Sequence, residues 1–129
     1  MIYELIKQAL SSVDPLGNRV YPVYANIDGK DGATAIYSFG QTVPFRGLSG
    51  RVHHYTQTAS IQILTDDFDA GQEIYFQAEQ ALLELPGMED SSGNRVLRVN
   101  VQSVEPDAFA LEIAKNIRAL QAEILWAPA

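Results

Sequence analysis

The chain contains no cysteine in its 129 residues. That excludes a disulfide scaffold and any thiolate metal site, and it fits folding in a reducing cytoplasm. Basic residues are scarce as well: nine Lys and Arg stand against 16 Asp and Glu, for a formal charge of −7. They are scattered singly, whereas a phosphate-backbone binder needs a concentrated basic surface, so sequence-specific nucleic acid is not an expected partner. No apolar run approaches the roughly 18 residues needed to span a bilayer, which removes a membrane partner from the expectations. The opening Met-Ile-Tyr-Glu-Leu-Ile-Lys carries charge inside its would-be apolar stretch and is not expected to act as a signal peptide. Gly-x-Gly-x-x-Gly and Gly-x-x-x-x-Gly-Lys-Ser/Thr are both missing.

What is present describes a folded body. A hydrophobic fraction of 47% with 19% charged residues is ordinary for a globular protein, and the length suits a single domain over 1–129. Residues 54–65 alternate: Tyr55, Ala59, Ile61 and Ile63 share one face, and Thr56, Thr58, Ser60 and Gln62 share the other. This period of two predicts a strand with one buried side. At Thr65 the period changes, and Ile74, Ala78, Ala81, Leu82 and Leu85 make one apolar helical stripe. Asp66, Asp67 and Asp69 supply acceptors and negative charge at its start, and Pro86-Gly87 stops it.

Around this centre, Ile2, Leu5, Ile6, Ala9, Leu10 and Val13 predict an N-terminal helix, ended by Pro15 and Gly17. Residues 19–24 have strand character, with Pro22 pushing them towards a sheet edge. Two Asp-Gly pairs at 26–32 favour turns, and 33–39 form a second short strand. Residues 40–51 hold three glycines and a proline, which argue against a regular element, yet Val43, Phe45 and Leu48 are too apolar for a solvated linker. Two readings stand: a loop ordering against a partner, or one folded back on its own domain. Residues 95–104 alternate again, with Leu97, Val99 and Val101 on one face. The C-terminal segment fits helical spacing through Ile113, Ile117, Leu120 and Ile124, and over 117–126 fits a strand through Leu120, Ala122, Ile124 and Trp126.

Candidate chemistry is sparse. Adjacent His53 and His54 point to opposite faces of a strand and cannot chelate one ion together, and no third ligand stands at metal-site spacing. Asn26-x-Asp28-x-Lys30 has the outline of a calcium loop, but lysine occupies a ligand position and no closing glutamate follows. The Gly47–Gly50 stretch lacks the nucleophile-elbow pattern, and the carboxylates form no acid/base pair. No catalytic residue, cofactor or metal is therefore expected. Tyr55, Tyr75, Phe76 and Trp126 are expected to pack the core, with an interface cap as the other reading of Trp126.

The order of elements carries a resemblance. Arg-Val-Tyr-Pro at 19–22, Ala-Ser-Ile-Gln-Ile-Leu-Thr-Asp at 59–66, the helix at 70–85 and Ala-Glu-Ile-Leu-Trp at 122–126 are its main marks. Together they resemble the small tail-completion proteins of long-tailed bacteriophages, also called tail terminator or head–tail joining proteins. The glycine- and proline-rich 43–51 stretch and the hydrophilic 105–116 connection depart from the pattern. The resemblance implies an α+β fold: a mainly antiparallel β-sheet of four to five strands, with an N-terminal helix and a central amphipathic helix packed on one face. It also decides 117–126 in favour of a strand.

In function, it implies a structural protein of a phage or prophage virion, made in the host bacterial cytoplasm and ending in the tail or neck. Such a protein closes into a homohexameric ring on the tail tube, stops tail polymerisation and meets the head connector. Val43, Phe45, Arg46, Leu48 and Arg51 are then expected at a subunit or tail-tube contact, because they form an apolar, basic-flanked stretch in an acidic chain; Trp126 joins them if it caps an interface. A neighbouring neck or head-completion protein is the close alternative. A small-ligand or regulatory binding domain is the alternative of a different class, and would need a pocket with convergent polar groups.

Overall fold

The computed structural model describes residues 2–17, 19–22, 32–111 and 114–129. In chain order they form α1 (Tyr3–Ser11), β1 (Val20–Pro22), β2 (Thr34–Arg46), β3 (Val52–Thr65), α2 (Phe68–Leu83), β4 (Arg95–Val104), β5 (Ala108–Ala110) and β6 (Lys115–Ala127). The strands make one six-stranded sheet in the order β1-β2-β3-β6-β4, with β5 pairing β6 where β4 has ended. Among the described residues only the β1–β2 pair is parallel. The expected α+β architecture is therefore present, with one strand more than the four to five anticipated.

The alternation that predicts β3 is what places the core. Ala59, Ile61 and Ile63 are buried under the helices, beside Leu120, Ala122 and Ile124 of β6 and Ala35 and Tyr37 of β2. On the other side of β3 lie Thr56, Thr58, Ser60 and Gln62, none of them buried, while Leu64 on that side is buried near the Thr65 end. α1 buries Leu5, Ile6 and Leu10, while α2 buries Gly71, Ile74, Tyr75, Ala78 and Leu82. α2 starts where expected: Asp67 is extended and its carboxylate accepts the Asp69 N–H at 3.3 Å. Glu4 of α1 accepts the N–H and hydroxyl of Ser91 at 2.9 and 2.7 Å, tying the first helix to the turn before β4.

Three expectations are corrected. Residues 40–51 are not irregular: β2 runs through to Arg46 and turns tightly into β3. Pro44 is accommodated because, among the described residues, no strand pairs with β2 on its outer side beyond Tyr37. A bulge between Phe39 and Thr42 absorbs Gly40. In β4, a register shift between Val96 and Arg98 rotates the alternation, so Val96 is buried and Leu97 is exposed. Phe76, expected in the core, stands on the outer side of α2 with 58% of its surface exposed. The segment 117–126 is strand throughout, as β6. Residues 23–31, which include the end of the expected first strand and most of the Asp-Gly turns, lie outside the described residues.

Candidate assembly interface

The 40–51 stretch is a two-stranded hairpin whose far end extends past the rest of the sheet. β6 last meets β3 at the Tyr55–Trp126 pair, while β2 still pairs with β3 at Phe45–His54 and Arg46–Val52. The turn is closed by Gly50 N–H donating to Gly47 O at 3.0 Å and Gly47 N–H to Arg51 O at 2.9 Å. Gly50 has φ +80°, the left-handed conformation that lets a hairpin turn end in a glycine bulge without steric cost. This turn projects Leu48 fully into solvent and leaves Val43 and Phe45 about half exposed. Arg46 reaches across the turn to donate to Gly50 O at 3.0 Å, and Arg51 is exposed.

The histidines belong to the same tip, and the expectation that they face apart is corrected. β3 skips His53 in its pairing with β2, so a bulge replaces strict alternation there. The Phe45 ring lies parallel to His54, with centroids 4.7 Å apart, and edge-on to His53 at 6.5 Å. Gly47 leaves the room this needs: a side chain there would run into the His53 ring. Five of the six sequence-expected interface residues are thus gathered on one projecting, partly apolar hairpin. Trp126 is the exception. It is buried at the inner end of the hairpin, stacked on Tyr55 with centroids 4.5 Å apart, and is a core residue of the isolated chain.

Charge is divided along the chain in a way that the reading of single motifs missed. From Gly32 to Thr65 there is no Asp or Glu, and the hairpin carries Arg46 and Arg51. Between Arg51 and Arg95 there is no Lys or Arg, but there are eight carboxylates. The outward side of α2 shows what that produces: Asp69, Glu73, Phe76, Gln77, Gln80, Leu83 and Glu84 are all exposed. A basic-apolar projection and an acidic-apolar helix face therefore sit on one molecule. A plain count of charge along the sequence could have found this.

Elsewhere the polar groups serve the fold. Lys115 Nζ, nearly buried, lies 2.5 Å from Asp66 Oδ1 and 3.3 Å from Gly32 O, and Asp66 Oδ2 accepts the Gly32 N–H at 2.9 Å. The hydrogen bonds from Lys115 and Gly32 hold the Asp66 carboxyl below its ordinary range. Asp90 is pushed up by burial, but bonds from Asn94 and Ser92 outweigh this and hold it low. A cavity lined by Thr65, Phe68, Gln72, Asp107 and Arg118 measures about 10 Å³, room for about one water. Among the described residues no three His, Asp or Glu side chains come together as metal ligands, and no helix is long and apolar enough to cross a membrane.

Comparison places this fold among solved structures. The class the fold defines is a small α+β domain, and the chain is similar in fold to one chain in a structure described as the virion of a native gene transfer agent particle. The superposition has a TM-score of 0.63 at 12% sequence identity, and covers 98% of this chain and 91% of that one. At that identity the likeness is one of fold. No family model matches the sequence, and no curated protein matches it.

Proposed function

We propose that this protein is a virion-assembly component of a phage or phage-like particle, a tail terminator that closes as a ring on the end of the tail tube. In that position it stops tail polymerisation and offers its other surface to the head connector. The observation that carries the reading is the fold likeness to a chain of a gene transfer agent virion over nearly the full length of both chains. The distribution of chemistry agrees with it. The described residues present a projecting hairpin with an apolar, cationic tip. Exposed apolar side chains grouped on one projection mark a contact surface. A contact between two different patches of one chain closes into a ring when the rotation between neighbours closes.

Native mass spectrometry and light scattering, alone and with purified tail tubes, test this. A six-copy ring, in solution or on the tube, is the expected result. Phe45→Ser with Leu48→Ser should leave the circular dichroism spectrum and melting temperature nearly unchanged and weaken assembly. Co-sedimentation with portal-bearing heads but not with tubes would move the protein to the neighbouring neck ring. A chain that stays monomeric and binds neither would overturn the reading.

A further inference from the structure

The hairpin and α2 carry complementary surfaces that cannot meet within one molecule. β3 has 14 residues and, at about 3.3 Å per residue, is roughly 45 Å long. α2 has 16 residues, spans roughly 24 Å, and packs back along β3 from its Thr65 end. It therefore stops well short of the hairpin, which sits at the Val52 end, beyond the last β3–β6 pair. The hairpin offers Phe45, Leu48, Arg46 and Arg51, with no carboxylate between Gly32 and Thr65. The outward side of α2 offers Phe76 and Leu83, seven residues apart and so on one stripe, flanked by Glu73 and Glu84, with no Lys or Arg anywhere from Val52 to Asn94.

We propose that the hairpin of one copy docks on the outward face of α2 of the next copy. Phe45 and Leu48 meet Phe76 and Leu83, and Arg46 and Arg51 face Glu73 and Glu84. The inference rests on the ring reading above and names the two patches that join its neighbours. Because the patches differ, the contact is head-to-tail, and every copy uses both. The apolar pairs would exclude water at the centre. The charges at the rim would steer docking and set its direction, which makes assembly sensitive to salt.

A charge exchange provides the test. One variant carries Arg46→Glu and Arg51→Glu, so that both of its patches are acidic; a second carries Glu73→Lys and Glu84→Lys, so that both are basic. Each alone should assemble at least roughly tenfold more weakly than the parent, in solution or on tail tubes, because like charges then face each other. Mixed in equal amounts, they should recover assembly, since acidic hairpins meet basic helices and the reverse. The absence of native cysteine allows an independent check. Leu48→Cys and Phe76→Cys chains, mixed and mildly oxidised, should form the hetero-disulfide in preference to either self-pair. If the parent forms rings while both charge variants assemble normally, or while the mixture fails to recover and no hetero-disulfide forms, the docking proposal falls and the ring reading stands. A parent that never assembles, with or without tubes, removes both.

Discussion

Trp126 Nε1 donates a 3.0 Å hydrogen bond to Gln57 Oε1 across the β3–β6 seam, and both side chains are buried on the helix-covered side of the sheet. Gln57 Nε2 has no partner among the described residues. This bond crosses the β3–β6 pairing near its last pair, Tyr55–Trp126, where the hairpin leaves the sheet. It gives the hairpin a stiff root.

Replacing Trp126 by Phe keeps an aromatic ring near Tyr55 but removes the donor to Gln57 Oε1, leaving the buried amide unpaired among the described residues. The expected cost is about 1–3 kcal/mol. Urea unfolding followed by circular dichroism measures it, because the variant loses the chain's single tryptophan as a fluorescent probe. Unchanged stability would show that the bond contributes nothing net.

The Asp66–Lys115 pair ties the start of β6 to the entrance of α2. Its folded pKa lies below the ordinary value of 3.8, so its contribution to stability is present above that pH. It is lost as pH falls through the folded value. Asp66→Asn should therefore lower the melting temperature at neutral pH and converge with the parent in strong acid. A gap that persists at the lowest pH would assign the loss to something other than the ionised pair.

Gly71 lies in the first turns of α2, where an added Cβ would collide with the Thr65 hydroxyl. That hydroxyl donates to Asp67 O at 2.8 Å and, being buried, has little room to move. Alanine would gain up to about 1 kcal/mol in helix propensity, but overpacking costs about 1–3 kcal/mol. Gly71→Ala is expected to be net destabilising, and Thr65→Ala added to it should cost less than the sum of the two changes. Thermal melts of the four-member cycle give the answer. Simple additivity would remove the steric explanation.

Much of the fold was legible because alternation and helical stripes survive wherever a segment has one covered face. β3, α2 and α1 are of this kind: Ala59, Ile61, Ile63, Ile74, Ala78, Leu82, Leu5, Ile6 and Leu10 are buried as the pattern named. Tyr55, Ala81 and Ala9 are only half-buried, whereas Gln57, Leu64 and Gly71 are buried without its signal. Failures cluster at bulges. Leu97 changes sides because one residue between Val96 and Arg98 breaks the count of two. The His53 and His54 rings flank one phenyl group for the same reason. The hairpin itself was obscured by its glycines, which local pattern reads as breakers although Gly40 and Gly50 serve a bulge and a turn. Phe76 shows the opposite limit: an aromatic residue reads as core until the helix face it occupies is known to have nothing over it.

By itself the sequence determined the strand-then-helix centre, the polarity of each face of β3, and the division between a carboxylate-free stretch and one without Lys or Arg. These depend on order and spacing along the chain, which folding leaves intact. Only the tertiary structure decided that β6 is a strand beside β3, that Trp126 lies inside and Phe76 outside, and that the hairpin projects beyond the reach of its own helix. Each of those turns on what packs against a residue from a distant part of the chain, and that is set by how the sheet and helices assemble in space.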